Sequence, residues 1–234
     1  MIKGITLDFG GTLATGTLDA SAFWHYLLAY LRSLGYPGSE ARFEKARNGA
    51  LERLTKIRRA NREMRLEDLV QGLMFKLRLH PNQTTLDYAH RLYIASFDTQ
   101  LIPGVKTVLH RLSGMYRLAV ISNSMSDVPR VGIEEFGLAP SFTAIVVSRD
   151  LGIRKPDPAI CHYALANLTV QPFEALHVGD SLNQDVAGAQ RAGMRAAWID
   201  TGEAHTAVSP DHVIRSVLDL PDLLARLSHG SRGR

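Results

Sequence analysis

From about residue 99 onward, short apolar stretches typical of buried strands alternate with single helical segments, and this alternation leaves few possible folds. The strand-like stretches are residues 116–121, 144–147, 175–178 and 195–199, with a helical segment between each pair. Strands that alternate with single helices form parallel βαβ units with right-handed crossovers. We therefore predict an α/β core built on a doubly wound parallel sheet.

The amino-terminal stretch supplies the first strand of this core and ends in a carboxylate. Residues 2–7 have the apolar content of a buried strand, and they run directly into Asp8, which Gly10 and Gly11 follow closely. These glycines let the backbone turn sharply and leave its N–H groups open. Open α/β sheets bind ligands at the carboxyl ends of their strands, so Asp8 is a candidate functional residue. An isolated aspartate at this place is also typical of an ordinary turn.

A long helical insert separates the first strand from the rest of the core. The spacing of apolar residues predicts helices over residues 20–34, 39–62, 66–79 and 84–97, and nothing strand-like lies between residues 19 and 98. An insert that leaves the sheet after the first strand emerges at the carboxyl edge, directly over Asp8. It is therefore placed as a lid.

This arrangement predicts two domains. The α/β core consists of residues 1–15 and 99–234, and a four-helix cap of residues 16–98 is inserted into it. The final residues, 228–234, have the composition of a frayed tail.

Composition and charge narrow the range of functions. The chain of 234 residues is 45% hydrophobic and 21% charged, with a net charge of +4, which favours small anionic ligands slightly and says little about nucleic acid. The one cysteine, Cys161, cannot form an internal disulfide, which fits a reducing cytosol. No apolar run approaches the roughly 20 residues of a membrane span, and the chain opens with its first strand, so we expect no signal peptide. We expect a cytoplasmic monomer or homodimer that binds neither membrane nor nucleic acid.

Polar side chains also follow the later strands. Ser122 and Asn123 end the strand over residues 116–121, whereas Asp180 follows the strand over residues 175–178. Because the carboxyl ends of parallel strands share one edge of the sheet, these side chains are predicted to meet beside the first strand. Each has an ordinary structural interpretation when taken alone, as a helix cap or a turn residue.

Two further residues complete the candidate constellation. Lys155 lies in a loop that Pro156 and Pro158 restrain, and Asp185 lies five positions after Asp180. A solvated loop charge and a helix N-cap are the ordinary interpretations of these two residues. The order of the segments and their agreement with the strand ends favour a functional site instead.

The residue types indicate phosphoryl chemistry. Asp8, Asp180 and Asp185 would form a carboxylate cluster too repulsive to stay ionised without a cation, and hard oxygen ligands without His or Cys indicate Mg²⁺. Such an ion would hold an oxygen of an anionic substrate, while Lys155 adds a second positive charge. Ser122 and the open loop N–H groups would complete a phosphate cradle. Asp8 is then placed to attack phosphorus and form an aspartyl-phosphate that water hydrolyses.

These segments resemble the four motifs of the haloacid dehalogenase-like (HAD) hydrolase superfamily. The matching stretches occur in the family's order, and the helical insert matches subfamily I, which carries a four-helix cap. The motifs are Asp8-x-x-Gly11-Thr12-Leu13, Ser122-Asn123, Lys155-Pro156-Asp157-Pro158 and Gly179-Asp180-Ser181-Leu182-x-x-Asp185.

The resemblance implies a Rossmann-like core and assigns a role to each site residue. Asp8 would be the nucleophile, and Lys155 would assist catalysis and bind the transferring group. Mg²⁺ would be the cofactor, and a small phosphorylated metabolite the substrate. The predicted phosphate-binding residues are Gly11, Ser122, Asn123 and Lys155, and the predicted metal ligands are Asp8, the backbone carbonyl of Gly10, and Asp180, with Asp185 in support.

The sequence departs from the family pattern at Gly10. Phosphatases of this family normally carry a second aspartate two residues after the nucleophile. That carboxyl group protonates the leaving alkoxide and then activates water against the phosphoenzyme, and glycine can do neither. General acid–base catalysis is typically worth about 10²–10⁴-fold, so a poor leaving group should react slowly.

The departure leaves four interpretations open. The main prediction is a Mg²⁺-dependent phosphatase that is slow, that takes a substitute acid from the cap or from residues 124–127, or that acts on good leaving groups such as acyl or aryl phosphates. The second is a phosphonatase-like enzyme, because that branch has a small residue where Gly10 lies. It would use a cap lysine, Lys45 or Lys56, to form a Schiff base.

The other two interpretations concern different chemistry. A 2-haloacid dehalogenase would lack the metal and usually carries a tyrosine at the position of Gly10, so the presence of Asp180 argues against it. A phosphate-binding protein with little turnover is the fourth interpretation. His25 and Tyr26, in the first cap helix, are further candidates to face the site.

Overall fold

A parallel sheet forms the centre of the computed structural model, which describes residues 1–202 and 207–230, with only the backbone at residues 229 and 230. The sheet has six strands in the order β5-β4-β1-β6-β7-β8, and all neighbouring strands are parallel. The predicted α/β class is therefore confirmed. In chain order the strands are β1 (Gly4–Leu7), β2 (Ala14–Leu18), β3 (Phe97–Leu101), β4 (Arg117–Ser122), β5 (Ala144–Val147), β6 (Ala175–Gly179), β7 (Arg195–Ile199) and β8 (His212–Ile214).

Helices cover the sheet and build the insert that lies between β2 and β3. Within the described residues, no helix is long and apolar enough to cross a bilayer. The α-helices are α1 (Ala20–Ser33), α2 (Glu40–Arg59), α3 (Leu66–Lys76), α4 (Gln83–Ala95), α5 (Val105–Ser113), α6 (Val128–Glu135), α7 (Ser148–Leu151), α8 (Pro158–Leu168), α9 (Ala187–Arg191) and α10 (Leu220–Gly230). Short 3₁₀ turns cover Ala139–Ser141, Pro172–Glu174 and Val217–Asp219, and a π-helical turn covers Leu182–Val186.

The sheet buries both of its faces. Successive residues along β4 point to opposite sides, as the pleat of a strand requires. Leu118 and Val120 pack in one buried cluster with side chains of α5 and α10. Ala119 and Ile121 pack in another cluster with α8 and the segment that leads into α9. The sheet is therefore doubly wound, as predicted.

The helical insert has a hydrophobic core of its own. Its four helices agree with the predicted helices to within three residues at each end. Their apolar stripes meet in a separate buried cluster that includes Phe23, Leu27, Leu31, Phe43, Leu66 and Leu73. A separate core is what a separate domain needs, and on this ground we propose the division into a core (1–15 and 99–234) and a cap (16–98).

Two antiparallel strands, β2 and β3, join the insert to the sheet and form a hairpin whose connecting segment is the whole insert. The sequence analysis missed this hairpin. β2 pairs with β3 from Ala14–Leu101 to Leu18–Phe97, so the two connections between insert and core form a small sheet. The prediction that helix continues to residue 97 is wrong, because Phe97 already belongs to β3. Both predicted domain boundaries fall inside this hairpin.

The carboxyl-terminal region contains more regular structure than predicted. β8 adds a sixth strand next to β7, and α10 packs Leu220, Leu223 and Leu224 into one face of the core. The predicted tail at 228–234 is therefore wrong for residues 228–230, which lie in α10. Residues 231–234 lie outside the described part of the chain.

Buried ion pairs fasten the insert to the core. The Glu63 side chain, fully buried between α2 and α3, pairs with Arg58 Nε at 3.1 Å and with Arg154 Nη1 at 3.4 Å, and it accepts a hydrogen bond from Ser148 Oγ at 3.1 Å. The backbone N–H of Glu63 donates to the carbonyl of Gly152 at 3.0 Å. The segment between α2 and α3 is thus held against the loop that leads to Lys155.

A second group of ion pairs lies beside the first. Arg149, which is nearly buried, pairs with Glu67 Oε1 of α3 at 2.8 Å and with the carboxylate of Asp127. His90 Nδ1 lies 2.5 Å from Glu67 Oε1, and these contacts hold the pKa of Glu67 at about 2, although partial burial opposes the shift. Core and insert therefore share one charge network.

We expect Glu63→Gln to lower the free energy of unfolding by about 3 kcal/mol, because it leaves the largely buried Arg154 and the partly exposed Arg58 without their counter-charge. Urea unfolding measures this change. Glu44→Gln is the matched control, since the Glu44 side chain is 53% exposed and its nearest cation, on Arg47, is 3.9 Å away. Exposed pairs contribute roughly 0–1 kcal/mol. Equal, small effects of the two substitutions would contradict the role of Glu63.

Candidate active site

Asp8 lies where the sequence predicted, at the carboxyl end of β1. β1 is flanked by β4 and β6, so the ends of those strands place Ser122 and Asp180 on either side of Asp8. The Asp8 N–H donates to the carbonyl of Val178 at 2.9 Å, which holds the start of the turn to the sheet. The predicted convergence at one edge of the sheet is therefore what the topology produces.

The ammonium group of Lys155 lies buried between two carboxylates. Its Nζ is 2.9 Å from Asp8 Oδ1 and 2.5 Å from Asp185 Oδ1, and it also donates to the carbonyl of Ile121 at 2.6 Å. An ammonium group has three N–H donors, so all of them are used. Lys155 is 2% exposed, and it therefore acts here as a buried counter-charge rather than as a solvated loop charge.

Asn123 positions Lys155. Its side-chain oxygen accepts from the Lys155 N–H at 2.9 Å, and its amide group donates to the Lys155 carbonyl at 3.0 Å and to Gln184 Oε1 at 2.7 Å. Both amide donors are thus engaged within the protein. The Asn123 side chain therefore has a positioning role and no donor left for a substrate, and the prediction that Asn123 binds phosphate stays a prediction.

Asp185 is held by the residues around it. Besides Lys155, its Oδ1 lies 3.2 Å from His177 Nε2, and its Oδ2 accepts from the Ser181 N–H at 2.9 Å. His177 in turn shares a hydrogen bond of 2.7 Å with the hydroxyl of Thr6, its neighbour across β1 and β6. Sequence analysis missed His177 and Thr6. The available signal was a polar residue at the centre of each buried strand.

Two glycines let the carboxylates approach the turn. Gly11 has a φ of +71°, and a Cβ there would overlap a carboxylate oxygen of Asp180. A Cβ at Gly179 would overlap the carboxylate carbon of Asp185. Gly11 is therefore required both by its backbone conformation and by the space that Asp180 occupies.

Burial and mutual charge shift the pKa values of the site. Burial, with the negative charges of Asp185 and Asp180, raises the pKa of Asp8 to about 6, although Lys155 opposes the shift. Burial alone would raise the pKa of Asp185, but Lys155 and His177 outweigh it and the pKa is lowered. Burial alone would lower the pKa of Lys155, yet the two carboxylates raise it. Lys155 therefore stays protonated.

The site has the donor set of a divalent cation site. Asp8, Asp180 and Asp185 each offer a carboxylate oxygen, and these oxygens lie within 4.8 Å of one another. One ammonium group leaves these three carboxylates with a net negative charge, which a hard divalent cation would balance. Both oxygens of Asp185 already accept hydrogen bonds, so Asp8 and Asp180 are better placed as direct ligands. These residues fit the predicted cation.

A cavity of about 150 Å³ opens beside this cluster. Gly10 and Ser122 line it, and so do Thr15, Phe97 and Thr99 of the hairpin. This cavity is therefore bounded by the turn after β1, the end of β4 and the connections to the insert.

The other candidates from the insert lie elsewhere. Lys45 lines a groove along α2 with Lys76, and His25 lines a separate groove between α1 and α2. Lys56 is exposed and Tyr26 is 54% exposed, and neither lines the cavity within the described residues. Their predicted contact with the site, and the Schiff-base mechanism that needs a lysine there, receive no support.

Comparison with known proteins identifies the family. The profile of the haloacid dehalogenase-like hydrolases matches residues 2–193. The chain therefore belongs to this hydrolase family, as its motifs predicted.

Curated relatives of the chain include several phosphatases. The chain is 42% identical over 85 residues to phosphoserine phosphatase from Thermus thermophilus, which covers 36% of this chain and 34% of that protein. It is 34% identical over 128 residues to N-acylneuraminate-9-phosphatase from Homo sapiens, which covers 53% of this chain and 52% of that protein. The chain thus matches about a third to a half of the length of these relatives.

Solved structures resemble the whole chain. A 2-haloacid dehalogenase from Pseudomonas syringae is 29% identical with a TM-score of 0.74, covering 97% of this chain and 100% of that one. A HAD phosphatase from Thermococcus onnurineus is 24% identical with a TM-score of 0.61, covering 95% and 98%. The second similarity shows the fold alone.

We expect Gly11→Ala to weaken Mg²⁺ binding by about 10–100-fold, the range for changes that disturb the support of a metal ligand, because the new methyl group displaces Asp180. Isothermal titration of the chelator-treated protein measures the affinity. Gly137→Ala is the matched control, since Gly137 has a φ of +65° and nothing within 4 Å of an added Cβ. It should cost about 1 kcal/mol of stability through backbone strain and leave Mg²⁺ affinity unchanged. Equal affinity in both variants would contradict the assigned cluster.

Proposed function

We propose that this protein is a Mg²⁺-dependent phosphatase that forms an aspartyl-phosphate on Asp8. The observation that carries the proposal is that the Asp8, Asp180 and Asp185 carboxylates lie close together. The buried ammonium group of Lys155 lies between two of them, Asp8 and Asp185. One ammonium group balances only part of the charge of three carboxylates held this close. Such a cluster fits a site that binds a divalent cation and a phosphate group together.

The residues around Asp8 then have separate tasks. Asp8 attacks phosphorus, and the buried ammonium of Lys155 holds the attacking carboxylate in place. The Ser122 hydroxyl and N–H groups of the turn after β1 would hold the phosphoryl oxygens, although the Gly11 N–H itself donates to the Ala14 carbonyl at 2.8 Å. Asp8, Asp180 and the carbonyl of Gly10 would hold Mg²⁺, with Asp185 in support, and the ion would neutralise charge that develops on those oxygens.

The proposed substrate is a small phosphorylated molecule. The relatives named as phosphatases support this class, and the cavity of about 150 Å³ beside Gly10 and Ser122 suits a small ligand. The helical cap lies over the same edge of the sheet and would exclude water when a substrate is bound. We propose a cytoplasmic protein that acts on such molecules, as a monomer or homodimer, without nucleic-acid or membrane partners.

A 2-haloacid dehalogenase is the second candidate. The similarity to the Pseudomonas syringae dehalogenase over the whole chain favours it, and a halide leaves without needing a proton. Asp8 would attack carbon in that reaction, and no cation would be required. The clustered carboxylates of Asp180 and Asp185 favour the phosphatase, since a dehalogenation site has no need to balance them.

We expect Asp8→Asn to reduce hydrolysis of 4-nitrophenyl phosphate by about 10⁴-fold or more, the order seen when a covalent nucleophile is removed. Wild-type activity should disappear in chelator and return with Mg²⁺. Asp87→Asn, which removes an exposed carboxylate that accepts from Gln83 on α4 at 2.7 Å, is the control and should keep full activity. Release of 4-nitrophenol measures the rate.

Three results would contradict the proposal. One is phosphate release that Asp8→Asn and chelator leave unchanged. The second is chloride release from 2-chloropropionate in chelator, lost in Asp8→Asn, with no activity on phosphate esters, which would establish the dehalogenase instead. The third is tight binding of inorganic phosphate with turnover of neither substrate, which would establish a binding protein.

A further inference from the structure

The space beside Gly10 is empty and would accept a side chain. A Cβ built on Gly10 meets no atom within 4 Å, and Gly10 does not have the left-handed backbone conformation of Gly11. Neither close packing nor backbone conformation therefore requires glycine at this position. The consequence of glycine at this position is that the site has no proton-transferring side chain there.

Apart from Asp8, which attacks phosphorus in the proposed reaction, no side chain among the described residues that line this cavity can transfer a proton at neutral pH. The cavity beside Gly10 is lined, among the described residues, by backbone, apolar, hydroxyl and amide groups, and by no Asp, Glu, His, Cys, Lys, Arg or Tyr. Aliphatic hydroxyl groups do not ionise in the neutral range. Besides Ser122 at the end of β4 and Asn123 and Ser124 after it, the lining includes the apolar residues Phe9, Phe97, Val128 and Pro129, and also Thr15 and Thr99.

The carboxyl group that the predicted segment 124–127 offers as a substitute acid is engaged elsewhere, and so is the ammonium group of Lys155. Asp127, in the segment after β4, pairs with Arg149 and with Arg130 Nη1 at 3.0 Å. The three N–H donors of Lys155 are bound to Asp8, Asp185 and the Ile121 carbonyl. Neither side chain is free to protonate a leaving group over the cavity.

We propose that the site acts on phosphates whose leaving group departs as a stabilised oxyanion, such as acyl, enol or aryl phosphates, and discriminates against alkyl phosphates. This inference rests on the proposed function. The Asp8 carboxylate oxygen forms a bond to phosphorus, and the bond from phosphorus to the leaving oxygen breaks. The electron pair leaves with that oxygen as a carboxylate, enolate or phenolate, which needs no proton. Apolar surfaces of Phe97 and Val128 suit the carbon part of such a group.

The second half of the reaction should be slow for the same reason. A water oxygen attacks the phosphorus of the aspartyl-phosphate, the bond to the Asp8 oxygen breaks, and inorganic phosphate forms. Without a base beside Gly10, the water proton passes to a phosphate oxygen or to solvent. The phosphoenzyme should therefore accumulate, and the first turnover should be faster than the following ones.

A series of aryl phosphates with leaving groups of different pKa, together with acetyl phosphate and glycerol 3-phosphate, tests the inference on the wild type. We expect first-turnover rates that fall steeply as the leaving-group pKa rises, an initial burst of one leaving group per enzyme, and little turnover of glycerol 3-phosphate. Gly10→Asp should raise turnover of glycerol 3-phosphate by about 10²–10⁴-fold and remove the burst.

Gly10→Asn is the matched control, because it has nearly the same shape and cannot transfer a proton, and it should give no comparable gain. The inference is overturned if the wild type hydrolyses glycerol 3-phosphate as fast as acetyl phosphate while still requiring Asp8, or if Gly10→Asn matches the gain of Gly10→Asp. Those results would leave the proposed phosphatase intact. Absence of Asp8-dependent phosphate release from every substrate overturns both.

Discussion

The structure depends on the buried ammonium group of Lys155, which lies between the carboxylates of Asp8 and Asp185. Buried charges are costly unless they are paired and hydrogen-bonded, and here every ammonium proton has an acceptor. The arrangement needs the strand order that places β1 between β4 and β6. It also needs the loop before α8 to be fixed, which Asn123 does by donating to the Lys155 carbonyl and accepting from the Lys155 N–H. The same group of contacts therefore stabilises the fold and positions the side chains of the site.

The same loop joins the site to the insert. Residues 148–154 carry Ser148, Arg149 and Arg154, which pair with Glu63 and Glu67 of the insert, and Lys155 follows directly. A movement of the cap helices against the core would have to break these ion pairs, or residues 148–154 would have to move with the cap. The network therefore couples the position of the cap to the position of the Lys155 backbone, and the hairpin of β2 and β3 is the covalent connection about which such a movement would occur.

The parts that sequence predicted were those that local patterns encode. Continuous apolar runs defined the core strands, and polar residues at their ends marked the edge where Asp8 and Asp180 meet. The sequence did not predict the hairpin because Thr15-Gly16-Thr17 and Asp98-Thr99-Gln100 have no apolar alternation. Its pairing also joins residues that are 79 to 87 positions apart. Glu63 belongs to a basic, highly charged stretch typical of a solvated face, yet its side chain is fully buried. Partners distant in sequence decide such positions, and no local pattern reports them.

The central claim is that Asp8 receives the phosphoryl group, and the most direct measurement is acid quenching of the enzyme during turnover of acetyl phosphate with Mg²⁺, followed by mass spectrometry of its peptides. The account predicts a phosphoryl adduct on Asp8, removed by hydroxylamine as an acyl phosphate and absent with chelator or in Asp8→Asn. Phosphate release without an adduct on Asp8, or an adduct on another residue that persists in Asp8→Asn, would contradict it.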